Sequence, residues 1–173
     1  MKEKAAVAAK SSLSSSELSP RLSMLTEEFD LLEVLENWNQ VMKRGIDVAV
    51  SIGGDGTLLG LARFLPQGVP IVGINMGGRG IIAEVERNEI SQLLSSYRYG
   101  NYYIERRLRL RAELARNETF NVLNEFYFQR ANFNVTPYFE VNSVNGIKFK
   151  SRMDGIIIST PTGSTGYNMS NKG

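Results

Sequence analysis

The sequence predicts an N-terminal α/β domain built on a parallel sheet, followed by a β-rich domain of the all-β sandwich type. Three observations carry that expectation. Short β-branched runs at Ile46–Ile52 and Val69–Ile74 each lead into a glycine cluster and then into helical spacing. Near Gly100 this alternation gives way to period-2 patterning and aromatic runs. Asn145-Gly146 then stands between two short apolar stretches as a hairpin turn signal. Strands alternating with helices pack as a parallel sheet covered on both faces, whereas period-2 strands joined by tight turns pair antiparallel. The domains are therefore expected at residues 1–100 and 101–173.

The elements follow in order. Ala5–Ala9 is a short apolar run that suits either a strand or the start of a helix, and Ser11–Ser19 reads as a loop. From Pro20 the spacing of Leu22, Leu25, Phe29, Leu32, Leu35 and Trp38 predicts an amphipathic helix that ends near Gly45. Ile46–Ile52 is a strand, and Leu58–Phe64 is a helix stopped by Pro66. Val69–Ile74 is a second strand, and Glu89–Tyr97 is a helix with Asn88 as its N-cap. Beyond Gly100, Ile104–Leu114 alternates leucine with arginine as a half-buried strand does. Val122–Phe128 is an aromatic-rich strand, Phe139–Val144 and Ile147–Phe149 form a hairpin, and Ile156–Ile158 is a last short strand. The aromatic run Phe126, Tyr127, Phe128 and nearby Phe133 is expected in the core.

Composition narrows the chemistry. The 173 residues are 42% hydrophobic with a net charge of +2, and contain neither cysteine nor histidine. A chain of this length buries roughly 70% of the surface it exposes when unfolded. Without cysteine or histidine, these residues build no disulfide, thiolate nucleophile, Cys/His zinc site or histidine-dependent triad. Base chemistry falls to a carboxylate, a lysine or a tyrosine. The near-balance of charge gives no case for nucleic-acid or membrane binding. No apolar run approaches a membrane span, and a cytoplasmic location is expected. The arginines at 106, 107, 109, 111 and 116 read as a solvated or subunit-facing strand face rather than a phosphate patch.

Of the four aspartates, Asp55 and Asp154 each touch a glycine. Asp55 sits in Gly53-Gly54-Asp55-Gly56-Thr57, between a strand and a helix. Glycines there let the backbone turn tightly and approach a ligand, while the helix start offers free amides to phosphate. A carboxylate beside phosphate makes sense as a proton acceptor, or as a holder of Mg²⁺; it also suits a plain N-cap. Asp154-Gly155 opens the second candidate site. It leads through Ile156–Ile158 into Ser159-Thr160-Pro161-Thr162-Gly163-Ser164-Thr165-Gly166-Tyr167, where hydroxyls and free amides suit ribose and phosphate oxygens and Tyr167 offers a ring to a base.

Together these features resemble the NAD kinase family, from about Ile46 to the last residue. Four motifs carry the resemblance: the Gly53–Thr57 turn; Gly73-Ile74-Asn75-Met76-Gly77-Gly78-Arg79-Gly80; the pair Asn124-Glu125; and Asp154-Gly155 with Thr160–Tyr167. The glycine–aspartate turn is shared with lipid kinases and phosphofructokinases, whereas the fourth motif is far more specific. The resemblance implies transfer of the terminal phosphoryl group of ATP to the adenosine ribose 2′-hydroxyl of NAD, with a divalent metal, Mg²⁺. It implies that Asp55 accepts the proton, with Gly53, Gly54 and Gly56 at the ligand. Asn124, Glu125, Arg152 and Asp154 become dinucleotide contacts, and Thr165, Gly166, Tyr167, Asn168, Met169 and Ser170 surround the adenosine. A homodimer or homotetramer is implied as well. Arg79 and Ile81 replace the leucine and phenylalanine usual in the second turn, and Gly166 replaces an alanine. Family chains run on well past the position of Gly173, which makes an incomplete second domain the expectation. The alternatives are a lipid or sphingoid-base kinase sharing the first turn, and a non-catalytic dinucleotide-binding protein.

Overall fold

The computed structural model describes residues 2–34, 45–78 and 80–173, with the backbone alone for 31–34. The Ala5–Ala9 run is a strand, β1 (Lys4–Ala9). Helix α1 (Ser15–Glu28) follows, then β2 (Asp30–Val34), β3 (Val48–Gly53), α2 (Asp55–Ala62), β4 (Ile71–Asn75), β5 (Val85–Glu86) and α3 (Ile90–Arg98). The five strands form one sheet in the order β2-β1-β3-β4-β5, and every pairing in it is parallel.

Alternation along the strands explains how this sheet is covered. Ala5 and Val7 of β1, with Val48, Val50 and Ile52 of β3, point to the side where Leu25, Phe29, Ile90 and Leu94 are buried. The opposite side carries Ala6, Ala8 and Ala49, small residues against which Leu61 of α2 and Leu65 pack. Helices therefore cover both faces, as a parallel sheet requires. A hydrogen-bonded Glu28–Arg98 ion pair of 2.8 Å ties α1 to α3.

Three expectations in this half need correction. The serine-rich segment is not a loop throughout: Ser14 is the N-cap of α1, and Pro20 lies inside the helix. The Glu17 carboxylate accepts the Ser14 backbone N–H at 2.9 Å and its hydroxyl at 2.7 Å, while the Glu17 N–H donates to Ser14 O at 3.0 Å, a start that the Ser-x-x-Glu spacing encodes. The bonds from Ser14 to the carboxylate hold the Glu17 carboxyl below the usual carboxylate range. The helix does not run to Gly45 either. It ends at Glu28, and Phe29 turns extended, because the Asp30 N–H donates to Glu3 O at 2.9 Å and starts a strand beside β1. The expected continuation through Leu35 and Trp38 lies outside the described residues. At α3 the N-cap is Glu89, not Asn88.

Contacts divide the chain into two units, Met1–Arg106 and Arg107–Gly173. The second unit is built from antiparallel pairs: β6 (Leu110–Glu113) with β7 (Thr119–Val122), β8 (Glu125–Gln129) with β11 (Gly155–Ser159), and β9 (Tyr138–Asn142) with β10 (Lys148–Arg152). A 3-10 turn (Thr162–Thr165) and the one-turn helix α4 (Tyr167–Ser170) end it. The Asn145-Gly146 turn joins β9 to β10, with Gly146 at φ 84°. The long strand expected over Ile104–Leu114 shrinks to β6, because Ile104 and Leu108 are exposed and, among the described residues, only Leu110–Glu113 find a partner strand. Tyr127, Phe128 and Phe133 are exposed too, not core. A two-stranded ladder such as β8–β11 cannot bury both of its faces. Among the described residues no helix is long and apolar enough to cross a membrane.

Candidate functional site

The first site lies at the carboxyl ends of the parallel strands. In this strand order the chain reverses direction across the sheet between β1 and β3, the switch point at which open α/β sheets leave a crevice for ligands. A cavity of about 560 Å³ opens there, lined by Lys10 and Ser12 after β1, by Gly53, Gly54, Gly56 and Thr57 after β3, and by Met76 and Gly77 after β4. Gly53 is forced by packing: a Cβ on it would sit 2.3 Å from Thr57 Oγ1. Gly54 is the N-cap of α2, so Asp55 is the first helical residue and the N-cap reading of Asp55 does not hold.

The Asp55 side chain reaches across to the loop after the second glycine turn. Its Oδ2 accepts the Ile81 N–H at 2.9 Å, and its Oδ1 accepts the Ile82 and Ala83 N–H groups at 3.2 and 3.0 Å. The second turn is itself braced from β4. Asn75 Nδ2 donates to Gly78 O and Asn75 Oδ1 accepts the Gly77 N–H, both at 3.1 Å. Met76 N–H donates to Gly53 O at 2.7 Å, locking the exits of β3 and β4 together. The two glycine motifs, which begin 20 positions apart, thus form one assembly. Arg79, next to last in the second motif, lies outside the described residues.

The second site is in the second unit. The register of β8 against β11 pairs Glu125 with Ser159, which sets Asn124 and Glu125 beside the hydroxyl-rich turn. Buried Thr160 fastens the two: its N–H donates to Asn124 O at 2.8 Å, its hydroxyl donates to Leu123 O at 2.6 Å, and its Oγ1 accepts the Gly163 N–H at 3.0 Å. Gly163 packs so tightly that a Cβ would lie 2.4 Å from Asn124 O. A Cβ on Gly166 would meet Asn124 Nδ2 and Glu125 Oε2, each at 3.5 Å. Glu125 Oε2 is buried and accepts no hydrogen bond among the described residues. It is an acceptor without a donor, the kind of atom a sugar hydroxyl satisfies.

The remaining expected residues divide. Asp154 and Asn168 line a cavity of about 430 Å³ together with Tyr127, Phe149, Met153, Gly155 and Asn171. Tyr167 stands edge-on to Tyr127 with ring centroids 5.4 Å apart, and Asp154 pairs with Arg130 at 3.2 Å. Arg152 instead lies over the Tyr138 ring, 4.9 Å from its centroid, on the β9–β10 ladder. Thr165, Met169 and Ser170 are exposed on the 3-10 turn and α4. Sequence reasoning missed Lys10, Asn75, Tyr127, Arg130 and Asn171. Asn75, the last residue of β4, stands within the second motif, while Lys10 becomes visible only once the strand order is known.

Comparison with known proteins meets these same regions. The family model described as ATP-NAD kinase N-terminal domain matches residues 1–102, and that described as ATP-NAD kinase C-terminal domain matches residues 123–173. The chain is 37% identical over 139 residues to an NAD kinase of Natranaerobius thermophilus, covering 76% of this chain and 48% of that protein. It is 40% identical over 131 residues to an NAD kinase of Acidithiobacillus ferrooxidans, covering 73% and 44%. The chain thus spans about half the length of the curated relatives it matches. Among solved structures, an NAD kinase from Archaeoglobus fulgidus in complex with ATP superposes with a TM-score of 0.77 at 26% identity, covering 98% of this chain and 66% of that one. Yeast NADH kinase complexed with NADH gives a TM-score of 0.84 at 17% identity, over 99% and 61%, which speaks to the fold.

Proposed function

Because this chain belongs to the NAD kinase family, we propose that it serves ATP-dependent phosphorylation of the adenosine ribose 2′-hydroxyl of NAD, giving NADP. The observation that carries the reading is a carboxylate, Asp55, fixed by backbone amides and set between two glycines, Gly54 and Gly56, that line the crevice. In the reaction the ribose O–H bond breaks and its proton passes to Asp55. The oxygen bonds to the γ-phosphorus of ATP, and the bond from that phosphorus to the β-phosphate oxygen breaks to release ADP. A placed base is worth roughly 10²–10⁴-fold. Alignment and the amides around transferring phosphates supply more.

Gly53, Gly54 and Gly56 let phosphates approach the start of α2. Asn124, Glu125, Arg152, Asp154 and the Thr165–Ser170 segment (Thr165, Gly166, Tyr167, Asn168, Met169, Ser170) bind the dinucleotide, with Glu125 Oε2 accepting a sugar hydroxyl. Mg²⁺ belongs to the proposal as a companion of the ATP phosphates. Among the described residues no cluster of three or more acidic side chains gathers to hold a metal, so no ligand set on this chain is assigned to it. A cytoplasmic homodimer or homotetramer completes the reading.

The test is a substrate comparison with purified protein, ATP and Mg²⁺. Formation of NADP from NAD, with no phosphorylation of a long-chain alcohol, is the expected result. Phosphorylation of the alcohol without any response to NAD contradicts it, as does NAD binding with no turnover.

A further inference from the structure

Resting on that reading, the geometry points to a division of labour between the two oxygens of Asp55, enforced by the loop Gly80–Ala83. An ionised carboxylate offers about four acceptor positions, two on each oxygen. Oδ1 has both filled, by the Ile82 and Ala83 amides at 3.2 and 3.0 Å. Oδ2 has one filled, by the Ile81 amide at 2.9 Å. Among the described residues, the one position left open belongs to Oδ2. This is the oxygen that takes the ribose proton, while Oδ1 is the anchor that fixes its direction.

Three consecutive amides reach one carboxylate only if the loop comes in against β4 and α2, and two glycines make that approach available. A Cβ on Gly73 would lie 2.7 Å from Ala83 Cα and 2.7 Å from Leu58 Cδ1. A Cβ on Gly80 would lie 2.4 Å from Ala83 O and 2.8 Å from Asn75 Nδ2. Neither glycine is at positive φ, so turn geometry does not demand them. Space does: a side chain at either position pushes Ala83, and the amides with it, away from Asp55. Gly73 and Gly80 are accordingly positioning residues for the base, acting through the Ile81–Ala83 backbone. Asn75, which braces the preceding turn and would itself meet a Gly80 side chain, is part of the same support.

The experiment is a double-mutant cycle between Gly80→Ala and Asp55→Asn, read as kcat and KM for NAD phosphorylation. Gly80→Ala alone should lower kcat about 10²-fold, the scale of a misplacement near 1 Å, with KM for NAD and ATP little changed. In the Asp55→Asn background it should cost almost nothing further, because the group it positions has already been lost. Independent losses in the two backgrounds, or a rise in KM at unchanged kcat, overturn the proposal. Amide resonances supply a measurement that needs no activity: in Asp55→Ala the Ile81, Ile82 and Ala83 N–H signals should move and exchange faster, and unchanged signals contradict the contact itself. A wild-type protein that leaves NAD unphosphorylated while those amides respond to Asp55→Ala removes the kinase reading and leaves the structural contact standing.

Discussion

Gly163 shows how a single missing methyl group can shape a binding site. Its Cβ would collide with the Asn124 backbone at three atoms within 2.4–2.7 Å. Gly163→Ala should therefore displace Asn124 and Glu125 from the hydroxyl-rich turn and weaken NAD binding, with little effect on the first unit. Calorimetric titration of NAD into the variant checks this, and unchanged affinity speaks against Asn124-Glu125 as a dinucleotide contact. Glu17 is a second residue with a measurable signature. Its folded carboxyl sits low because the Ser14 N–H and hydroxyl favour the charged form. That stabilisation is complete above the ordinary glutamate range and fades as pH falls through the lowered folded value. Glu17→Gln should lower the thermal midpoint near neutrality, and its gap to wild type should close in acid. A gap that widens in acid contradicts the assignment. The Ser-x-x-Glu spacing was there to be read, yet a run of serines resembles a loop until one of them is recognised as a cap.

Among the elements, α2 carries the site and is held by the face of small residues beneath it. Leu61 is fully buried against Ala6, Ala8 and Ala49, so Leu61→Ala should destabilise the protein by about 2–5 kcal/mol, measured by urea unfolding. A loss well under 1 kcal/mol would mean that the α2 face is not packed as described. Elements whose signals are local were legible: β3, β4, α2 and the β9–β10 hairpin fall where β-branched runs, helical spacing and Asn-Gly place them. Elements decided by a distant partner were not. Phe29 and Leu32 continue the helical spacing of Leu22 and Leu25, but the Asp30 amide is claimed by Glu3, and a strand forms instead. Ile104 and Leu108 alternate as a strand should, yet among the described residues no ladder partner reaches them, and β6 is short.

At the scale of the whole molecule, β2 decides where the crevice lies. Without β2 the strand order is unknown, and without the order the switch point between β1 and β3 has no location, so local sequence pattern does not mark Lys10 as a crevice residue. The chemistry was more legible than the topology. With no histidine or cysteine, a carboxylate on a glycine turn is the natural proton acceptor, and Asp55 could be singled out before any fold was known. What the sequence could not reveal is that the Asp55 carboxylate is anchored by Ile81, Ile82 and Ala83, because backbone amides leave no mark in side-chain patterning. The most direct test is to measure NADP formation and NAD binding side by side in wild type and Asp55→Asn. A fall in turnover of about 10²–10⁴-fold with NAD still bound is the predicted result; full turnover by Asp55→Asn would contradict it.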